Sequence, residues 1–244
     1  MKTFTLPAGS SAVFCSDIHL NEGDNQAIEH FCSQLSIYAK KADHIIILGD
    51  LFEAWLGDHC ADNFQPLLTH FKSLATHTPI YFMPGNRDFL LRDKLLEKYN
   101  VRALADPCIL VHEGKRILLS HGDQFCSLDT GYLRLRRIIQ HPITIWAAHK
   151  IPYFIRRLIA RRLRHISQYK GRKTSRKLLD ACEETILHWM QRYHSSICLY
   201  GHVHHLQDQV LTKEPYKRRI VLDSWQHQTN HALLSKGVLN LHTL

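Results

Sequence analysis

The sequence predicts an α/β layered fold in which strands and helices alternate, interrupted once by a helical insertion. Three observations carry that prediction. Short apolar runs of β-rich composition recur along the chain and mostly end in polar clusters. Helical patterns lie between several of them. Residues 131–193 break the rhythm, with no strand signal and with helical stretches punctuated at Pro142 and Pro152. Alternation of this kind requires crossover connections and helices layered on a sheet.

Taken in order, the strands are expected at Ala12–Cys15, His44–Leu48, Ile80–Met83, Cys108–Val111, Arg116–Leu119, Ser196–Tyr200 and Arg219–Leu222. Each is short and apolar on both faces, the pattern of a strand buried inside a sheet. Between the first two, Gln26–Lys40 keeps its apolar residues on one helical face, with Asp24 or Asn25 as N-cap. Phe64–Leu74 and Leu90–Tyr99 repeat that pattern. Lys236-Gly237 reads as a turn between two closing strands, Ala232–Ser235 and Val238–His242. The core is therefore assigned to residues 1–130 and 194–244, and the helical insertion, read as a lid or as a helical layer packed on the sheet, to 131–193. Within it, Ile151–Arg164 forms an apolar stripe filled in by arginines, a basic amphipathic helix.

Composition removes several classes. With 244 residues, 45% hydrophobic and 22% charged, the chain is globular and long enough for a sizeable core. Its seven cysteines form no C-x-x-C pair, so neither a disulfide framework nor a thiolate zinc site is indicated, and reduced cytosolic thiols are expected. Met1 to Ser16 lacks a signal peptide's continuous apolar core, and no apolar run approaches the ~20 residues of a membrane span. The net charge of +9 is local: Gly131 to Asp180 holds 14 Lys/Arg against one acid, whereas the remainder holds 17 basic and 21 acidic residues. A stripe like that suits a polyanion, an anionic membrane surface or a phosphorylated ligand.

Five polar clusters close strands, where open α/β sheets place their ligand-binding loops. They are Asp17-Ile18-His19, Gly49-Asp50-Leu51-Phe52-Glu53, Gly85-Asn86-Arg87-Asp88, Ser120-His121-Gly122-Asp123 and Gly201-His202-Val203-His204-His205. Each alone is weak evidence; their order is specific. Glycines beside the polar residues let backbone and side chains approach a common centre. Two carboxylates, four imidazoles and an amide oxygen, without thiolate, favour Mn²⁺, Fe²⁺ or Zn²⁺ in a non-structural site. Seven donors exceed the needs of one ion, and a pair of ions sharing a carboxylate is a common solution for phosphoester hydrolysis. Trp55 and Phe89 read as core packing, and His227 stands on a loop after a strand from which it can approach the site.

These motifs resemble the calcineurin-like metallophosphoesterase superfamily and, within it, the UDP-2,3-diacylglucosamine hydrolase family of lipid A biosynthesis. The specific parts are Gly49 through Asp58, read GDLFEAWLGD, and Gly85 through Leu90, read GNRDFL, with Arg87 where most of the superfamily has His. The resemblance implies a four-layer α/β/β/α sandwich with a helical lid over a lipid site. It implies two Mn²⁺ ions, one held by Asp17, His19 and His204, the other by Asn86, His121 and His202, with Asp50 bridging. Asp88 and Asp123 are expected to orient metal-bound groups rather than to ligate. The implied activity is hydrolysis of the pyrophosphate bond of UDP-2,3-diacylglucosamine by a metal-activated water at the nucleotide-side phosphorus. UMP and 2,3-diacylglucosamine 1-phosphate would be the products.

Asp50 and Arg87 are the implied catalytic residues, the Arg87 guanidinium clamping a diphosphate bidentately. Substrate contacts are implied for Asn86, Arg87, Asp129, Ser167, His202 and a lid lysine, assigned to Lys173 with Lys170 and Lys177 as alternatives. Pro84 stands where the family has a His before GNRD, so that residue's role is absent. The enzyme is expected in the cytoplasm, peripherally on the cytoplasmic face of the inner membrane, without nucleic acid or an obligate protein partner. Two other functions fit parts of the pattern: a nuclease or nucleotide phosphodiesterase of the same superfamily, and a non-catalytic membrane adaptor. Against the first, the basic residues interleave with aliphatic side chains such as Ile138, Ile143, Ile151, Ile155 and Leu158 rather than with spaced aromatics. Intact donors at every motif argue against the second.

Overall fold

The computed structural model describes the backbone of residues 1–173 and 180–243 and the side chains of residues 1–163 and 180–243. The chain begins with β1 (Lys2–Thr5), β2 (Ala12–Cys15), α1 (Asn25–Lys41), β3 (His44–Leu48), α2 (Gln65–Leu74) and β4 (Ile80–Met83). It continues with α3 (Asp93–Lys98), β5 (Val101–Ala103), β6 (Cys108–His112) and β7 (Lys115–Leu119). The helices α4 (Thr130–Ile139), α5 (Pro142–Lys150), α6 (Tyr153–Lys173) and α7 (Glu183–Arg192) follow. It closes with β8 (Ile197–Tyr200), β9 (Gln207–Thr212), β10 (Lys217–Val221), β11 (Asn230–Ser235) and β12 (Val238–Thr243). A 3-10 helix, Asp58–Phe64, precedes α2.

Two six-stranded sheets form, in the orders β12-β11-β2-β3-β4-β5 and β1-β6-β7-β8-β10-β9. Side-chain alternation along each strand separates three cores. Ala12 and Phe14 of β2 meet Ile46 and Leu48 of β3, together with Leu110, Ile117, Leu119 and Leu199 of the other sheet, in the space between the sheets. Val13, Cys15, Ile45 and Ile47 point the other way, onto Phe31 and Leu35 of α1 and Phe71 of α2. Leu118, Cys198 and Tyr200 pack on Ile186 and Met190 of α7. The result is the four-layer α/β/β/α sandwich. Helix α7 falls inside the stretch read as insertion, yet its apolar face fills the outer layer of the second sheet.

The buried strands appear where their apolar runs place them. The strands without a run are β1, β5 and β9, all at sheet edges. Half-exposed edges carry polar residues (Gln207, Asp208 and Gln209 on β9), so they lack the continuous apolar signature. Asp24 is the cap of α1, its Oδ1 accepting from the Ala27 N–H at 3.0 Å. Helices α4 and α5 bury no residue fully, and Ile138, Ile143, Trp146, Phe154 and Leu158 stand exposed across α4, α5 and α6. No helix among the described residues is long and apolar enough to cross a membrane.

Register explains why the polar clusters meet. β2, β3 and β4 pair in parallel, Cys15 opposite Ile47 and Leu48 opposite Met83, so the loops carrying Asp17, Asp50 and Asn86 leave one edge together. In the second sheet β7 and β8 are also parallel, Leu119 opposite Leu199, which brings His121 beside His202 and His204.

Candidate metal centre

All seven expected donors converge where these loops meet, on a strained backbone. Asp17, His19, Asp50, His202 and His204 all have positive φ, between 49° and 68°. Non-glycine residues adopt this region at a cost and keep it where the surrounding structure over-determines it. Two glycines permit the close approach. A Cβ on Gly85 would lie 2.2 Å from Asp50 Oδ1, and one on Gly201 would lie 2.1 Å from Asp17 Oδ2. Gly201→Ala is therefore expected to destabilise the fold by about 1–3 kcal/mol through overpacking. Displacing Asp17 should also lower turnover by ~10²-fold, a pairing that denaturation and activity assays on one preparation will check.

The first group is Asp17, His19 and His204. Asp17 Oδ2 accepts from Ser16 Oγ at 2.6 Å and from the His202 N–H at 2.9 Å, which leaves Oδ1 facing inward. Oδ1 lies 3.2 Å from His204 Nε2 and 3.7 Å from His19 Nε2, and the two imidazole nitrogens are 3.2 Å apart. The Glu53 carboxylate, 3.3 Å from His19 Nδ1, holds the far side of that ring.

The second group is Asn86, His121 and His202. His121 Nδ1 donates to the Leu48 carbonyl at 3.0 Å, since a carbonyl only accepts. Neutral His121 then carries its lone pair on Nε2, which faces Asn86 Oδ1 at 2.9 Å and Asp50 Oδ1 at 3.6 Å. His202 Nδ1 reaches the same Asn86 oxygen at 3.0 Å. Asp50 Oδ1 also accepts from the Arg87 N–H at 2.9 Å. Asp17, Asp50 and His121 have ligand atoms within 4.8 Å of one another, so Asp50 lies within reach of both groups.

Electrostatics describes the same need for positive charge. Burial, and then the neighbouring carboxylates Asp88 and Asp17, push Asp50 up to about 7 against the His121 charge. Burial would lower His121, but Asp50 and Asp17 raise it to about 9. Asp17 is held well below the usual carboxylate range against its burial, chiefly by the His204 hydrogen bond and the His121 charge. Burial and His121 lower His202 to about 4, which keeps its ring neutral and able to ligate. Oxygen and imidazole acceptors turned on one another in a buried space, with carboxylates short of positive charge, fit a divalent cation.

Arg87 projects over this cluster. Its Nη1 bonds Glu53 Oε1 at 2.6 Å and its Nε lies 3.4 Å from Asp50 Oδ2. Asp88 does a different job from the one expected. It accepts the backbone N–H groups of Leu51 at 2.8 Å and Gly85 at 2.7 Å, tying the Asp50 loop to the Asn86 loop. Asp123 likewise accepts from Tyr132 Oη and Arg136 Nε, both at 2.6 Å, rather than from an imidazole. Trp55 is buried against Phe52 and Phe64, as expected, and Phe89 packs on the same core. The His227 ring reaches 6.1 Å from that of His204 and pairs with Asp223 at 3.0 Å.

Asp129 caps α4, accepting the Tyr132 N–H at 2.9 Å. Ser167, Lys170 and Lys173 lie on α6, with side chains outside the described residues, as Lys177 is altogether. Arg156, one of the arginines of the basic amphipathic helix, docks on the core. Its guanidinium lies against Gly57, and Nη2 is 3.4 Å from His59 Nδ1. Sequence reasoning missed Asp106, which accepts the His121 N–H at 3.0 Å and Ser120 Oγ at 2.7 Å.

The model of the calcineurin-like phosphoesterase family matches residues 11–206. The chain is 34% identical over 221 residues to the UDP-2,3-diacylglucosamine hydrolase of Pseudomonas paraeruginosa, covering 89% of this chain and 92% of that one. It is 36% identical over 221 residues to the protein of that name from Coxiella burnetii, covering 88% and 89%. For the one from Psychromonas ingrahamii the identity is 29% over 233 residues, covering 94% and 95%.

Proposed function

The chain belongs to the calcineurin-like phosphoesterase family, and from that premise we propose that it hydrolyses the pyrophosphate bond of UDP-2,3-diacylglucosamine, giving UMP and 2,3-diacylglucosamine 1-phosphate in lipid A biosynthesis. The family and the relatives' name support hydrolase chemistry on this lipid nucleotide. One structural observation carries the reading past a generic phosphoesterase. A run of exposed apolar side chains, among them Ile143, Trp146, Phe154 and Leu158, lies on helices that lead directly from the His121 loop. A soluble phosphodiester gives such a surface nothing to bind; acyl chains do.

Asp17, His19 and His204 would hold one Mn²⁺, Asn86, His121 and His202 a second, with Asp50 between them. Two such ions supply an acidified water and the charge that phosphoryl transfer requires. The chain's own residues do the rest. Arg87 carries a planar fork that donates to the substrate's phosphates and cannot lose its proton, so it clamps charge and is no acid. The leaving sugar 1-phosphate departs as a stable anion, so the reaction tolerates the missing acid. Asp129, Ser167 and Lys173 are the further substrate contacts in this reading. The deciding experiment measures UMP release from UDP-2,3-diacylglucosamine beside nucleotide release from DNA and RNA. Nucleotide release without UMP would make the protein a nuclease, and neither product would make it an adaptor.

The insertion also suits peripheral attachment to an anionic leaflet on the cytoplasmic side. Leu158→Asp, at a position 68% exposed, is expected to lower turnover of the diacylated substrate about ten- to hundredfold. That range corresponds to the ~1.5–3 kcal/mol of a buried leucine, and hydrolysis of a soluble aryl phosphodiester should be unchanged. Reversing the exposed Arg157, Arg161 and Arg162 should weaken binding to phosphatidylglycerol vesicles by about 1 kcal/mol per charge. Arg156 is excluded from that set because its guanidinium is spent on Gly57 and His59.

A further inference from the structure

Arg136 of α4 ties the insertion to two carboxylates beside the candidate centre. Its side chain is only 16% exposed, although it sits in the most basic part of the sequence. Nη2 bonds Asp106 Oδ2 at 2.8 Å and Nε bonds Asp123 Oδ2 at 2.6 Å. These carboxylates are themselves buried, at 4% and 0% exposure, and repel each other. A guanidinium fork shared between them is the geometry that lets both stay there.

Each carboxylate touches what surrounds a different imidazole. Asp106 Oδ1 takes the backbone N–H of His121, so it fixes the position of that residue's main chain. Asp123 takes the hydroxyl of Tyr132, whose ring lies 6.3 Å from that of His202 at an interplanar angle of 26°. Helix α4 carries Asp129 at its N-cap and Arg136 two turns on, so the fork also sets the distance of Asp129 from the His121 loop.

We propose that Arg136 is a positioning residue that holds His121 and His202 in ligating geometry and locks the insertion to the centre through Asp106 and Asp123. This rests on the assignment of Asn86, His121 and His202 to one divalent ion. The sign of the effect separates position from charge. Removing a positive charge near a cation site strengthens cation binding if charge alone matters; loss of position weakens it. Lysine keeps the charge but reaches only one of the two carboxylates.

The test titrates Mn²⁺ calorimetrically into metal-free full-length protein. A His19→Ala background isolates the ion assigned to Asn86, His121 and His202, and a His121→Ala background isolates the other. Arg136→Lys and Arg136→Gln are each expected to weaken the first ion by about tenfold or more, the usual cost of losing a partner behind a ligand. The second should change by less than about twofold. Unchanged or tighter binding of the first ion overturns the inference. So does parallel weakening of both ions with a falling Tm, which would make Arg136 a general brace. Should Arg136→Lys fail to fold, Arg136→Gln with Asp123→Asn removes one charge of each sign and carries the same expectation. Wild-type protein that takes up no Mn²⁺ overturns the reading of the centre as well; wild-type binding that the variants preserve overturns this inference alone.

Discussion

Asp50→Ala lowers UMP release by three orders of magnitude or more in the expected result, about 4 kcal/mol of activation free energy. The carboxylate lies between the two donor groups, 3.6 Å from His121 Nε2, and is 1% exposed. It also receives the Arg87 N–H, so alanine removes a loop anchor together with a charge. Asp50→Asn separates the two losses, because the amide oxygen still accepts that N–H. Turnover of the asparagine variant should fall nearly as far as that of alanine.

Stability gives the second readout. Burial already pushes the Asp50 carboxyl up to about 7, so a neutral amide there costs the metal-free protein little. In wild type, Mn²⁺ bound at the proposed centre at about a hundred times its Kd should stabilise the fold by ~2.7 kcal/mol. That gain should shrink or vanish in Asp50→Asn. An asparagine variant with near-wild-type turnover and the full Mn²⁺-dependent rise in Tm would sink the assignment of Asp50 to the metals.

How much of this was legible in the sequence follows from what each residue is buried against. β3 reads as HIIIL because both of its faces are covered, and it could be placed residue by residue. β9 reads as QDQVLT because one edge and part of a face meet solvent, and its pairing with β10 is set by the neighbouring strand. The donors were legible because each stands directly after a buried strand, so motif and position coincide.

The supports were not. Asp106 precedes Pro107 with no motif around it, and Arg136 sits in a basic run where one more arginine looks like surface charge. Only the fold brings that pair within 2.8 Å. Asp88 illustrates the opposite error. Its place in Gly85-Asn86-Arg87-Asp88 suggests service to a ligand side chain, whereas buried backbone N–H groups of Leu51 and Gly85 claim both its oxygens first.

The second large effect is expected at Arg87. Arg87→Lys should lower kcat/KM for the diphosphate substrate ten- to hundredfold, the equivalent of a charged hydrogen bond worth about 1.5–3 kcal/mol. The backbone of Arg87 is fixed at both ends, its N–H on Asp50 and its carbonyl accepting from the Trp55 N–H at 3.0 Å. The loss should therefore come from the side chain alone. Glu53 draws on Nη1 and Asp50 lies near Nε, so the guanidinium is aimed before any substrate arrives. A lysine ammonium can pair with Glu53 or reach a phosphate, but it lacks the planar fork needed for both. Two roles remain to be told apart. If Arg87 clamps the second phosphate, an aryl phosphodiester, which has none, should be cleaved by the lysine variant at nearly the wild-type rate. If Arg87 instead steadies Asp50, both substrates should fall together and Mn²⁺ affinity with them. The 3.4 Å approach to Asp50 against the 2.6 Å bond to Glu53 favours the first outcome, because the tighter partner is not one of the seven donors and Asp50 is held chiefly by the Arg87 backbone N–H at 2.9 Å.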